Sequence, residues 1–332
     1  MTDVSMKALL CAAPGALETV ERPRPVDKDG HLRVRIAAIG ICGTDYHIYG
    51  GNQPFLAYPR VMGHELSAYA MADSADGRIK EGDLLVVNPY LTCGTCHACT
   101  IGKPNCCENI AVLGVHTDGG MCEEIVVPEG NLYPANELSP QAAAMVEFLA
   151  IGAHGVRRAA PRKGSHALIV GAGPIGVGAA LFAHIAGAHV TLRDTSPERL
   201  ALAQKIVPAA RTELVSDAKG AVYDTVFDAT GNISAMNSGL NYLAHGGNYV
   251  LLSVVKGDLN FADPEFHKRE TTLIASRNAL QADFEHVMQC MADGLVPVDD
   301  IGTHRTTLEG AVTDLPKWAA DRGTVVKALI EL

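Results

Sequence analysis

Four cysteines, Cys93, Cys96, Cys99 and Cys107, fall within one fifteen-residue stretch with the spacing C-x2-C-x2-C-x7-C. A loop of this kind can turn four thiolates onto one Zn2+ in a closed tetrahedron, which leaves no position for a substrate and therefore serves structure. Without a metal, four crowded thiols would be redox-labile. Cys106 adjoins Cys107 and makes the register ambiguous; Cys107 is preferred. Upstream, Cys42, His64 and Glu65 offer a second, scattered set of ligand types, the latter two about thirty residues before the tetrad. Three mixed ligands from separate segments leave a coordination position open, as a catalytic zinc requires.

Further on, Gly171-Ala172-Gly173-Pro174-Ile175-Gly176 follows the apolar run Ala167–Val170. A bare glycine turn is common, but this one ends a strand and opens a helix. In that setting Gly171 allows the tight turn, Gly173 lets the backbone approach a pyrophosphate, and Gly176 lets helix and strand pack closely. Pro174 and Ile175 begin the helix, whose amides and dipole favour an anion. Asp194 ends the next apolar run about twenty residues later, where a carboxylate accepts the adenosine ribose hydroxyls and repels a 2′-phosphate. This favours NAD over NADP, although Arg193 and Arg199 flank the position.

These groups must be held by two kinds of structure. Residues 1 to about 145 hold short strands between glycine-rich turns, such as Leu32–Ile39, Leu84–Val87 and Glu123–Pro128. From about 146 to 282 apolar strands alternate with helices, which predicts a parallel sheet covered on both faces. The last fifty residues hold two helical segments and a final strand, Val325–Leu332. The expected class is α/β, with a β-rich domain and a doubly wound parallel sheet.

A hydrophobic content of 48% supplies two cores for 332 residues. The net charge of −10 opposes nucleic-acid binding, which needs a concentrated basic surface. No apolar run reaches the roughly 18–20 residues of a membrane helix. There is no convincing secretory signal, because the apolar run after Met6 ends at Pro14-Gly15. Nine cysteines, an odd number clustered at metal spacing, indicate a reducing cytoplasm rather than a disulfide framework.

Cys42-Gly-Thr-Asp, Gly63-His64-Glu65, the cysteine tetrad and the glycine fingerprint, in this order, resemble the zinc-dependent medium-chain dehydrogenase/reductase family. The resemblance covers essentially the whole chain. It implies a GroES-like catalytic domain over 1–145, completed by about 283–332, and a Rossmann NAD-binding domain over 146–282. It also implies two zinc ions per chain, NAD as cofactor, a small-molecule alcohol substrate and a homodimer or homotetramer. Glu147 with its apolar neighbours resembles the Glu-Pro-Leu-x-x-Gly segment of sorbitol and threonine dehydrogenases, in which the glutamate binds zinc directly or through water. Here Phe148 replaces the proline. Read from its surroundings alone, a buried Glu147 needs a cation, either a metal or an arginine. Tyr58-Pro-Arg-Val-Met-Gly-His-Glu, Ile101-Gly-Lys-Pro-Asn and Val112–Gly120 resemble bacterial hexonate 5-dehydrogenases, such as those for L-galactonate or L-gulonate.

The chemistry so implied is oxidation of a secondary alcohol to a ketone, with hydride passing to NAD. Thr44, two residues after the ligand cysteine, can take the alcohol proton, and His47 can pass it outward. Arg277 follows a late strand, where an arginine of the resembling polyol dehydrogenases reaches substrate hydroxyls; its fork suits a carboxylate better. Counting charge, Cys42 and Glu65 neutralise a zinc ion, and Glu147 adds a surplus negative charge. A plain polyol dehydrogenase, L-threonine 3-dehydrogenase and a non-catalytic NAD- and zinc-binding regulator are the alternatives.

Overall fold

A computed structural model describes residues 5–53, 56–218, 220–321 and 323–332. The chain divides into two compact units. The first runs to Glu147 and takes in Met288–Gly294 and Ile301–Leu332; the second comprises Phe148–Val287 and Leu295–Asp300. The helix Gln281–Ala292 runs through the change, so no single residue near 283 divides the two.

The first unit is built around the strand His31–Ile41. Its first half alternates, with Leu32, Val34 and Ile36 buried and Arg35 outside; from Ile36 onward every residue is buried. The pattern follows from its neighbours. Glu124–Pro128 lies along the first half, Glu65–Ala70 along most of the length, and Lys327–Glu331 along the end, all antiparallel. Leu84–Val87, Leu132–Pro134 and Gly302–Thr307 complete a seven-stranded sheet. Full burial of Ile36 and Ile39 contributes about 1.5–3 kcal/mol each. The last strand is therefore a partner of the first long one, with Ala328 opposite Ile41. A separate two-stranded ribbon, Tyr90–Leu91 with Ala111–Val112, encloses the cysteine-rich loop at its base.

The second unit is a six-stranded parallel sheet. Its order is Arg211–Leu214, His189–Asp194, His166–Val170, Tyr223–Asp228, Leu243–Leu251 and Thr272–Ala275. The direction of strand progression reverses between His166–Val170 and Tyr223–Asp228, and a doubly wound sheet opens its ligand crevice at such a point. Strands Ala167–Val170 and Val226–Asp228 are wholly buried, as expected of strands covered on both faces. Asp283, at the start of the helix Gln281–Ala292, accepts from Arg157 Nε at 2.6 Å and lies 2.8 Å from His154 Nδ1. Burial pushes its carboxyl up, but His154, Arg157 and the Leu280 amide outweigh burial and hold it at about 2.

Candidate metal centres and dinucleotide site

The cysteine loop is local in construction. Cys93, Cys96, Cys99 and Cys107 bring their sulfurs within 4.8 Å of one another. The Cys93–Cys107 and Cys96–Cys107 separations are 3.5 and 3.9 Å. Four sulfurs at about 2.3 Å from a zinc ion stand about 3.8 Å apart in a tetrahedron, whereas a disulfide would need about 2.0 Å. Cys107 is buried with its sulfur in the cluster, while Cys106 closes the turn Pro104–Cys106 and lies outside it. The backbone amides of Thr95 and Cys96 pull the Cys93 thiol down to about 5. Desolvation and the neighbouring sulfurs push Cys99 up to about 12. The cluster therefore cannot ionise fully by itself; a dication is what the donor set fits.

The mixed cluster is assembled from distant segments. Cys42 caps the helix Gly43–Tyr49, and the Asp45 carboxylate accepts the Cys42 N–H at 2.8 Å. Glu65 begins its strand opposite Gly40, and a Cβ at position 40 would lie 2.2 Å from Glu65 Oε2. Only glycine leaves room for the carboxylate there. Ligand atoms of Cys42, His64 and Glu65 lie within 4.8 Å of one another. Burial lowers the His64 pKa, but the charges of Cys42 and Asp45 overcome this and raise it well above the ordinary value. Asp45, fully buried and 3.9 Å from His64 Nδ1, is placed to orient the ring.

Glu147 stands one step outside this triple, in the first turn of the helix Val146–Ala159. Burial pushes its carboxyl up to about 7, with Glu65 adding to the effect and His64, Tyr90 and Lys327 opposing it. The Tyr90 hydroxyl donates to Glu147 Oε1. Among the described residues, Glu147 Oε2 and His64 Nδ1 are buried with no hydrogen-bond partner; a nearby cation would relieve the carboxylate oxygen, while His64 Nδ1 lies on the Asp45 side. Phe148 is buried within the helix, which runs on normally without the family's proline.

One residue changes the charge count. Lys327 is 1% exposed, and its ammonium donates to both Glu65 oxygens at 2.6 and 2.7 Å and to the Ile41 carbonyl at 3.3 Å. With this cation included, a zinc ion, the Cys42 thiolate and both glutamates sum to neutrality. The surplus negative charge counted from the sequence is thereby removed. Lys327 carried no motif; the available signal was a lysine next to the apolar run Ala328–Ile330 of the final strand. Thr44 and His47 lie three residues apart on the helix Gly43–Tyr49, so they share a face. Thr44 is half-buried and His47 exposed.

In the second unit a cavity of about 540 Å³ lies at the switch point. Gly171, Gly173, Asp194, Arg199, Thr230 and Asn232 line it. Gly173 caps the helix Pro174–Ile185, which Pro174 and Ile175 open, and a Cβ on Gly173 would meet nothing within 4 Å. At Gly176 a Cβ would stand 1.8 Å from the Gly171 carbonyl. The fingerprint thus leaves room on the ligand side and closes the packing side. Asp194 accepts from the Ala172 amide at 2.7 Å and the Ser196 amide at 2.9 Å, tying the glycine loop to the neighbouring strand. Arg193 does not present a free charge. Its Nε and Nη2 donate to Glu213 at 2.8 and 2.5 Å, and its guanidinium lies 4.3 Å over the Tyr242 ring. Arg277 is exposed beyond the strand Thr272–Ala275 and does not line this cavity.

The alcohol dehydrogenase GroES-like domain family matches residues 28–137, and the zinc-binding dehydrogenase family matches residues 174–293. L-galactonate-5-dehydrogenase of Escherichia coli is 45% identical over 91% of this chain and 92% of its own length. L-threonine 3-dehydrogenase of Saccharopolyspora erythraea is 34% identical over 75% of this chain and 77% of its own. The crystal structure of the rspB alcohol dehydrogenase from E. coli CFT073, complexed with NADH, superposes with a TM-score of 0.93. It covers 99% of this chain and all of the other, at 29% identity. No described helix is long and apolar enough to cross a membrane. The chain belongs to the zinc-dependent medium-chain alcohol dehydrogenase family: it is an NAD-dependent oxidoreductase of CH–OH groups, with a GroES-like domain and a Rossmann-like parallel sheet.

Proposed function

We propose that the chain oxidises a secondary hydroxyl of a hexonate, at C5, to the ketone. The 45% identity to L-galactonate-5-dehydrogenase over 91% of the chain carries this reading. The unit ending at Glu147 acts as the catalytic domain, with Cys42, His64, Glu65 and Glu147 around the exchangeable zinc and Cys93, Cys96, Cys99 and Cys107 around the structural one. When bound, the mixed-site metal supplies a Lewis acid that polarises the alcohol and lowers its pKa. The protein's part is to receive the proton at Thr44 Oγ1 and pass it to His47, which is exposed and can deliver it to solvent. Lys327 and Glu65 keep the site near neutrality, so the metal retains its electron demand. Gly171, Gly173, Pro174, Ile175 and Gly176 receive the pyrophosphate, and Asp194 receives the ribose. Arg199 stays at the edge of that pocket.

Arg277 binds the acid group of the substrate, since a guanidinium matches a carboxylate with two parallel bonds. The edge strand Thr272–Ala275 is unpaired on its outer side among the described residues, with Leu273 exposed. This supports a homodimer or homotetramer. None of the nine cysteines is in a disulfide, which supports a cytoplasmic setting, and the net charge of −10 supports the absence of a nucleic-acid partner.

The test is NAD reduction across hexonates, the matching neutral polyols and L-threonine. Hexonates should give the highest kcat/KM. Preference for a polyol or for L-threonine would overturn the substrate, and no turnover on any alcohol would overturn the catalytic reading. Arg277→Lys should raise KM for the hexonate far more than for the polyol; equal losses would remove the carboxylate contact.

A further inference from the structure

Tyr90 belongs to neither ligand set, yet its hydroxyl bonds Glu147 and its strand leads into the cysteine loop. Its ring is buried, and its hydroxyl donates to Glu147 Oε1. Among the described residues, the other oxygen of that carboxylate is buried without a hydrogen-bond partner. A phenylalanine would fill the same volume without bringing a buried hydroxyl, which costs free energy unless it is bonded.

The backbone of Tyr90 is fixed with unusual thoroughness. Its N–H donates to Asn88 Oδ1 at 3.0 Å, and its carbonyl accepts from Asn131 Nδ2 at 3.0 Å. Its strand pairs with Ala111–Val112, Tyr90 lying opposite Val112. Cys93 follows Leu91 by two residues and Cys107 precedes Ala111 by four. The ribbon is thus the neck of the tetrathiol loop, and Tyr90 is the side chain that reaches from this neck to the mixed cluster.

We propose that Tyr90 is a positioning residue for the mixed metal site. Its phenol holds one oxygen of Glu147 so that the other faces the metal, and its backbone ties that carboxylate to the neck of the cysteine loop. The inference rests on reading Cys42, His64 and Glu65 as a metal site. It makes the tetrathiol loop more than a local staple, because the loop's neck sets where a ligand of the second site stands. Partners that orient a ligand in this way typically change metal affinity by about 10–100-fold.

The experiment uses the full chain loaded with zinc, and in parallel with Co2+. In Tyr90→Phe the mixed-site metal should leave about 10-fold faster to a competing chelator. The Co2+ absorption of the mixed site should shift while the thiolate charge-transfer band of the tetrathiol site stays unchanged. In a Glu147→Ala background, Tyr90→Phe should add nothing, because the two groups act as a unit. An unchanged release rate and spectrum, or an effect as large without Glu147 as with it, would overturn the proposal. Should Tyr90→Phe fold poorly, Asn131→Ala leaves the phenol in place and removes the side-chain bonds to the Tyr90 and Asn88 carbonyls that fix the neck. It should speed release of the same metal by a few fold, and no change would sever the tie to the neck. Release and spectrum need no substrate. A metal-loaded enzyme that oxidised none of the alcohols would sink the proposed function and leave this result standing. A wild type unable to hold metal at the mixed cluster would overturn both.

Discussion

The tetrathiol loop and the mixed cluster lie in one unit but are built in opposite ways. The loop draws its ligands from fifteen consecutive residues, closed at the neck by a two-stranded ribbon. Backbone amides near the sulfurs favour the thiolates, and one dication would offset half of their charge. The mixed cluster takes Cys42 from a helix cap, His64 and Glu65 from the start of a strand, and Glu147 from a later helix. It also takes its compensating cation, Lys327, from the final strand. A site that must stay closed can be encoded locally. A site that must stay open needs its charges and ligands set by elements far apart in sequence, because any one segment able to enclose the metal would also block it.

The largest expected effect separates the two functions. Cys42→Ser should lower kcat/KM by about 1,000-fold or more while metal analysis falls from two zinc ions to one. Cys96→Ser should instead lose the structural zinc and destabilise the fold by on the order of 5 kcal/mol, read as a lower Tm. If the two variants gave the same phenotype, the division into structural and catalytic metals would fail.

Chelation sharpens the same contrast. At neutral pH a chelator should abolish NAD reduction before circular dichroism changes, because Cys42, His64 and Glu65 leave a position that Glu147 yields to water or substrate, whereas four thiolates leave none. Simultaneous loss of activity and fold would show that the sites are equally closed.

Lys327→Met should destabilise the metal-free protein by about 3–5 kcal/mol, since it leaves Glu65 buried and uncompensated. Denaturant unfolding should show much of this recovered in Lys327→Met with Glu65→Gln. A cost below about 1 kcal/mol would mean that Glu65 is not held as a carboxylate by this ion pair.

The smallest effect concerns the proton path. His47→Gln should lower kcat about 10-fold at neutral pH, with the deficit shrinking toward high pH as hydroxide takes over the proton. A pH-independent deficit would make His47 a packing residue and leave the open site without its relay.

Much of this protein could be read from short-range pattern. The cysteine spacing states a metal loop, because the chain between ligands is too short to place the sulfurs elsewhere. The fingerprint Gly171–Gly176 after an apolar strand states a dinucleotide turn, because the glycines are demanded by local clashes such as Gly176 against the Gly171 carbonyl. The alternation in Leu32–Ile36 states a strand with one face buried.

What only the tertiary structure decided is where the charges of distant segments meet. Lys327 is an unremarked lysine until the final strand lies antiparallel to His31–Ile41 and brings its ammonium to Glu65. Arg193, which in the sequence only flanks the ribose position, is tied to Glu213 across neighbouring parallel strands. Tyr90 gains meaning only when Glu147 arrives beside it, fifty-seven residues along the chain. Spacing fixes ligands that are near in sequence, whereas electrostatics between buried groups depends on separation in space, which pairing and packing alone determine.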